Sequence, residues 1–270
     1  EEGFMDNRKE GVCASGNFLT YVQTTLATWD ERPFSSVDSL VLSWLAYYRL
    51  PADCYAAATW EGADVRDLLR LECRESMTGE LWDPQTSWDL LVAVCASPRY
   101  RGLRVCGYRT AFDAAAEEQF AAMTFRLTDG SAYVAFRGTD STMVGWKEDF
   151  NMSFRCPVPS QTMATAYFES AAAALSGPLM CGGHSKGGNL AVYAASMCDP
   201  AVRERPLRVY SHDGPGFNEA FLGGAEYRAL AAADKIDKTL PRSSVIGMIF
   251  EHPEDYAVVE SCDFGLLQHN

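Results

Sequence analysis

Between a short apolar run, Leu179-Met180-Cys181, and a small-residue stretch from Asn189 to Ala195, the chain reads Gly182-Gly183-His184-Ser185-Lys186-Gly187-Gly188. A serine with glycines two before and two after it, at a strand-to-helix junction, has the pattern of a nucleophile elbow. The turn is sharp enough to drive the serine toward positive φ, and side chains at the flanking positions would hold strand and helix apart. Its hydroxyl then stands clear above the sheet, where the first N–H groups of the helix face any negative charge that forms beside it. The competing reading is a glycine-rich turn whose serine only caps a helix. A phosphate-cradling loop does not fit, because G-x-x-x-x-G-K-[ST] places lysine before the hydroxyl residue and here Lys186 follows Ser185.

A nucleophilic serine needs a base and a group that orients the base. Four histidines are available. His184 adjoins the serine, so its side chain must point away, and His212 adjoins a strand end and reads as a satisfied buried residue. His252 closes an apolar run before Pro253, while His269 comes last, where the chain order serine, acid, histidine puts the base. His269 is the expected base and His252 the alternative; the competing reading of His269 is an exposed tail residue. The acid then falls between Ser185 and the base. Asp255 leads, Asp213 and Glu251 are alternatives, and any of them would otherwise be a loop carboxylate or, in Asp213-Gly214-Pro215-Gly216, a turn former.

The oxyanion requires two N–H donors. One is the backbone of Lys186, directly after the nucleophile. The other is sought in Phe136-Arg137-Gly138-Thr139-Asp140, where Gly138 permits a turn and Thr139 offers backbone and hydroxyl donors. The Lys186 ammonium opposes the helix dipole by roughly 0.3–1 kcal/mol, so the reading gives it a carboxylate partner among Asp140, Glu148 and Asp149, or an anionic group of a substrate.

These residues need a scaffold. Apolar positions from Asn17 to Tyr48 recur at three and four residues with a break at Arg32-Pro33, which predicts two amphipathic helices. Helices are also expected over 64–73 and over 87–96 with a serine N-cap. After Arg104 the pattern changes. Strands are expected over 105–110, 121–127 and 132–136, with a hairpin turn at Asp129-Gly130, then a helix over 163–175 that stops at Gly177-Pro178. Beyond the elbow come a strand over 207–211, a helix around 218–233, and strands over 244–250 and 256–260. Strand and helix alternate, which predicts an α/β fold with a mainly parallel sheet flanked by helices. Residues 1–100 are expected to form a mostly helical portion packed on the core, and 101–270 the core itself, within one structural domain.

Composition bounds the partners. A chain of 270 residues that is 47% apolar can bury a large core. Net charge −13 and pI near 4.7 leave no basic stripe for phosphates, so nucleic acid is not an expected partner. No apolar stretch reaches the length that spans a bilayer. Nine cysteines stand singly and never as C-x-x-C, which argues against a disulfide framework or zinc site and for a reducing compartment. The first residues lack a basic region followed by an apolar core, so no export signal is expected and the location read is cytoplasmic.

The set Val134-Ala135-Phe136-Arg137-Gly138-Thr139, Trp146, Asp149, Gly183-His184-Ser185-Lys186-Gly187 and Asp213-Gly214-Pro215-Gly216 resembles the fungal class 3 triacylglycerol lipases, which are α/β-hydrolases. More closely, it is similar to a bacterial lipase-like α/β-hydrolase family without an assigned function. The similarity extends to Phe34-Ser35-Ser36-Val37-Asp38-Ser39-Leu40 and to Gly265-Leu266-Leu267-Gln268-His269. The resemblance implies a serine hydrolase acting on a small-molecule or lipid carboxylic ester, with Ser185 as nucleophile, Asp255 and His269 as triad partners, and Thr139 and Lys186 as oxyanion donors. No metal or organic cofactor is implied. The rival reading is a catalytically silent hydrolase fold that binds a partner, and an amidase or acyltransferase would use the same triad.

Overall fold

The computed structural model describes residues 17–113, 118–139, 156–250 and 253–260. Among the described residues eight strands form one sheet: β1 Ala63–Asp64, β2 Arg104–Asp113, β3 Glu118–Arg126, β4 Ala132–Phe136, β5 Leu179–His184, β6 Pro206–His212, β7 Ile236–Pro241 and β8 Tyr256–Val259. They lie side by side in chain order. The pairs from β1 to β4 are antiparallel, and those from β4 to β8 are parallel. Among the described residues the α-helices are α1 Phe18–Thr24, α2 Ser36–Leu45, α3 Arg74–Thr78, α4 Pro84–Ala96, α5 Pro159–Ala174, α6 Lys186–Met197, α7 Pro200–Arg203, α8 Glu219–Leu222 and α9 Ala225–Ala232.

Strand side chains alternate between faces, and here both faces are apolar. Tyr133 and Ala135 of β4, Met180 of β5 and Tyr210 of β6 pack with Val41, Leu42 and Leu45 of α2 and with Leu90 and Leu91 of α4. Their neighbours Val134, Phe136, Cys181 and Val209 face Phe168 of α5, Leu190 and Ala194 of α6 and Leu230 of α9. Parallel neighbours joined by right-handed crossovers, taken in unbroken spatial order, put every crossover helix on one face. The other face would be bare without α1, α2 and α4. This is the mainly parallel sheet flanked by helices expected from the sequence, and a strand–elbow–helix at its centre makes it an α/β-hydrolase fold.

Burial of charge fastens the N-terminal helices. Arg99 and Asp38 are both fully buried, paired through two 2.8 Å bonds from Nε and Nη2. Arg99 Nη1 also donates to the carbonyls of Ala27 and Arg32 at 2.8 and 3.0 Å, and its guanidinium lies 3.9 Å above the Trp29 ring. Asp38 in turn completes the capping box of α2, accepting from the N–H of the N-cap Ser35, and receives the Tyr100 hydroxyl. Burial would raise the Asp38 pKa, but the bonds from Arg99, Tyr100 and Ser35 outweigh it and hold the carboxyl below its ordinary value.

Several local expectations change. The helix expected over 64–73 is two 3-10 turns, Val65–Leu68 and Leu71–Cys73, because β1 pairs with β2 and Val65 N donates to the Leu103 carbonyl, which draws this segment onto the sheet edge. The helix expected from Ser87 starts at Pro84, with Asp83 accepting from Thr86 N as its cap. Gly223 and Gly224 divide the helix expected around 218–233 into α8 and α9. The strand expected over 244–250 is a series of turns, and the position beside β6 belongs to β7. In β7 the inward residues Ile236, Lys238 and Leu240 alternate with partly exposed Asp237 and Thr239, and the charge on Lys238 hides that alternation from a reading of hydrophobicity.

Replacing Arg99 with methionine leaves Asp38 buried without its counter-charge, and the expected loss is roughly 3–5 kcal/mol in urea unfolding. Because the folded Asp38 pKa is depressed, its contribution is present above the unfolded value of about 3.9 and is lost as pH falls through the folded value. Unfolding midpoints measured from pH 6 down to pH 3 check both statements.

Candidate active site

The turn between β5 and α6 has little room. A methyl group on Gly183 would fall on the Gly187 carbonyl group, and one on Gly187 would fall on the Phe136 carbonyl oxygen at the end of β4. With no side chains there, a single residue, Ser185, separates the end of β5 from the start of α6. Ser185 occupies the junction at φ 56°, ψ −134°, a left-handed conformation that costs a non-glycine residue of order 1–3 kcal/mol. Its backbone is held on both sides, Ser185 N donating to the His212 carbonyl and Gly188 N to the Ser185 carbonyl, each at 2.9 Å. The residue keeps 8% of its surface exposed.

The loop after β4 closes against this serine. A Cβ on buried Gly138 would lie 3.1 Å from Ser185 Cβ, and Thr139 follows at the edge of the described residues. Lys186 follows Ser185 and opens α6, while its side chain is 1% exposed and leaves the helix end to donate to the Gln119 carbonyl on β3 at 3.0 Å. Its expected partners Asp140, Glu148 and Asp149, like Trp146, lie outside the described residues.

Two histidines are fixed elsewhere. His184 faces the N-terminal helices, with Nδ1 3.0 Å from the Tyr47 hydroxyl and the ring packed against the Trp44–Tyr47 pair. His212 shares Nε2 with Ser39 Oγ at 2.9 Å and Nδ1 with Thr239 Oγ1 at 2.8 Å. Burial lowers its pKa to about 3, so the ring is neutral at physiological pH. His252, His269 and Glu251 lie outside the described residues.

The two remaining acids differ in placement. Asp213 follows the last residue of β6, is 4% exposed and sits at φ 49°. Its Oδ1 accepts from Gly247 N at 3.1 Å and from the Ser244 hydroxyl. Asp255 is exposed and precedes β8. By register His184 is level with His212, Thr239 and Ala257, which places Asp255 three strands across and three residues below Ser185. At about 4.8 Å per strand and about 3.3 Å per residue, their Cα atoms are roughly 17 Å apart.

Residues that motif reasoning passes over complete the surroundings. Tyr47, just after α2, brings its hydroxyl to His184 and to the space beside Gly138, a contact across 137 positions that no local spacing announces. Gln161 of α5 donates to Asn189 of α6 at 2.9 Å, and Asn189 donates to the Gly216 carbonyl at 2.9 Å, which pins the loop that follows Asp213. Lys238 and Glu254 form a buried pair at 3.2 Å, and Tyr227 donates to Glu254 at 2.6 Å. Burial lowers the Lys238 pKa against the opposing pull of Glu254. A cavity of about 300 Å³ lined by Trp60, Arg126, Ser131 and Leu175 opens at the far ends of these strands, where β4 begins rather than where β5 ends.

A central, mostly parallel sheet with helices on both faces and a strained serine at the strand-to-helix turn define an α/β-hydrolase-fold protein. The chain belongs to the Mbeg1-like family, whose model matches residues 94–270. Solved structures similar to it include a fungal lipase–inhibitor complex, 17% identical, with 76% of this chain and 69% of that one covered at a TM-score of 0.43. A native Rhizomucor miehei lipase propeptide complex is 16% identical, with 80% and 72% covered and a TM-score of 0.44. A deletion mutant of that complex is 16% identical, with 79% and 69% covered and a TM-score of 0.46. Comparison with the curated proteins gives no match. Among the described residues no helix is long and apolar enough to cross a membrane.

His212 yields a pH prediction. Its folded pKa is depressed to about 3 against about 6.5 unfolded, so the unfolded chain binds the extra proton between those values. Stability is therefore retained above pH 6.5 and falls by up to about 1.4 kcal/mol per unit as pH drops toward 3. Urea midpoints from pH 7 to pH 5 are expected to show this slope, and His212→Asn to flatten it at the cost of lower stability throughout.

Proposed function

We propose that this chain is a serine hydrolase that cleaves a carboxylic ester through an acyl-enzyme. The observation that carries the reading is the backbone of Ser185, a non-glycine residue held at φ 56° between a strand end and a helix start. A serine that only capped α6 would take ordinary extended backbone and accept from the second or third N–H of the helix, whereas no such side-chain cap bond exists here.

In this mechanism His269 removes the Ser185 proton as Oγ attacks the ester carbonyl. The resulting oxyanion is met by the Lys186 N–H and by Thr139, whose loop abuts the serine through Gly138. The tetrahedral intermediate collapses, the histidine returns its proton to the departing alcohol, and the acyl group stays on Ser185. Water, deprotonated by the same imidazole, then releases the carboxylic acid. No step calls for a metal or organic cofactor. The acid that orients the histidine is one of two, Asp255, which the resemblance implies, or Asp213. The motifs shared with class 3 lipases support a small-molecule or lipid ester as substrate, acidic composition argues against nucleic acid, and the scattered cysteines support a cytoplasmic location.

Labelling with a fluorophosphonate probe and turnover of p-nitrophenyl esters of graded chain length test the proposal. Ser185→Ala is expected to abolish labelling and to lower kcat by about 10⁶-fold with unfolding behaviour close to that of the wild type. A folded full-length chain that neither labels nor turns over would instead favour a silent hydrolase fold that serves binding.

A further inference from the structure

We propose that Asp213 is the acid that orients and charges the imidazole serving Ser185, in place of Asp255. The inference rests on the hydrolase reading above and identifies the positioning residue of that same site.

Location is the first argument. β5 and β6 are adjacent and parallel, His184 is level with His212, and Ser185 and Asp213 are the next residues on each strand. The two backbones touch, since Ser185 N donates to the His212 carbonyl and a Cβ on Gly214 would lie 3.1 Å from the Ser185 carbonyl oxygen. A histidine hydrogen-bonded at both nitrogens spans about 8 Å between a serine oxygen and a carboxylate oxygen. Neighbouring strand ends supply that span. From Asp255, with Cα atoms roughly 17 Å apart, the two side chains fall short of it.

Burial and fixation are the second. A carboxylate that only shaped a turn would sit at the surface, since burying a charge requires partners. Asp213 is buried, and the Ser244 hydroxyl and Gly247 N–H converge on its Oδ1 from the segment after β7. On its other side the loop is pinned by Asn189, which belongs to the helix that begins at the nucleophile. Both strand ends also carry non-glycine residues at positive φ, 56° and 49°, and such strain collects where a site fixes geometry. A carboxylate held this way sets the ring tautomer and stabilises the imidazolium that forms during attack.

The test uses the full-length chain and one p-nitrophenyl ester, with fluorophosphonate labelling in parallel. Asp213→Asn is expected to lower kcat by on the order of 10⁴-fold with KM within about twofold. It should also shift the acidic limb of the pH profile about one unit lower, because the carboxylate that favours the protonated ring is gone. Asp213→Glu should restore part of kcat and of the limb, and Asp255→Asn should keep both. Ser244→Ala, which removes one bond to Oδ1 without touching the carboxylate, should lower kcat by about tenfold and supplies the answer if Asp213→Asn does not fold. A kcat loss in Asp255→Asn, or an unchanged kcat and limb in folded Asp213→Asn or in Ser244→Ala, would overturn the inference while labelling of Ser185 persists. A wild-type chain that is not labelled overturns the hydrolase reading itself.

Discussion

The close approach of helix α6 to strand β4 governs the centre of this molecule. Phe136 presents its carbonyl oxygen where Gly183 and Gly187 leave room, and any side chain at either glycine would separate the helix from the sheet. Since the strand cannot continue and the helix must begin at once, Ser185 takes up the reversal at positive φ. That local cost is offset by packing on both sides of the sheet, where each fully buried Leu or Phe contributes roughly 1.5–3 kcal/mol. The same geometry starts the helix at Lys186 and leaves room for the loop after β4 to close on Ser185, where a Cβ on Gly138 would lie 3.1 Å from the Ser185 Cβ.

The second determinant is the covering of the other sheet face. Crossover helices α5, α6 and α9 fill one side, and the N-terminal helices must fill the opposite one. They do so partly through polar bonds. Ser39 and Ser43 of α2 both bond the Tyr133 hydroxyl, and Ser39 continues to His212. The Asp38–Arg99 pair anchors the same helix from its N-terminal end. Buried polar groups of this kind add little net stability when complete and cost much when broken, so they fix where α2 lies more than how strongly it is held. Tyr47, just past the end of α2, therefore reaches His184 beside Ser185, and the N-terminal layer becomes part of the surroundings of the candidate site.

Much of the fold could be read along the chain because the signals are local. The hairpin turn at Asp129-Gly130, the break at Arg32-Pro33 and the stop at Gly177-Pro178 all rest on backbone preferences of a few residues. Readings failed where a distant partner decided. The apolar run over 244–250 has the composition of a strand, but Gly247 N is bonded to Asp213 and the place beside β6 is filled by β7. Lys238 concealed β7 because its charge is balanced by Glu254, sixteen residues later. The segment over 64–73 has helical spacing and was drawn into turns by pairing at the sheet edge.

The elbow was written in the sequence by itself, since glycines at fixed offsets from a serine admit one kind of turn and that requirement is steric and short-ranged. So were the alternation of strand and helix and the apolar character of both strand faces. Which carboxylate stands beside the serine was not. On sequence Asp255 leads, although Asp213 satisfies the chain order too, and only the parallel register of β5 and β6 puts Asp213 one strand from Ser185 while leaving Asp255 at an exposed strand start three strands away. Two residues in series along a chain carry no distance between them, and hydrogen bonding between strands far apart in sequence is what supplies it.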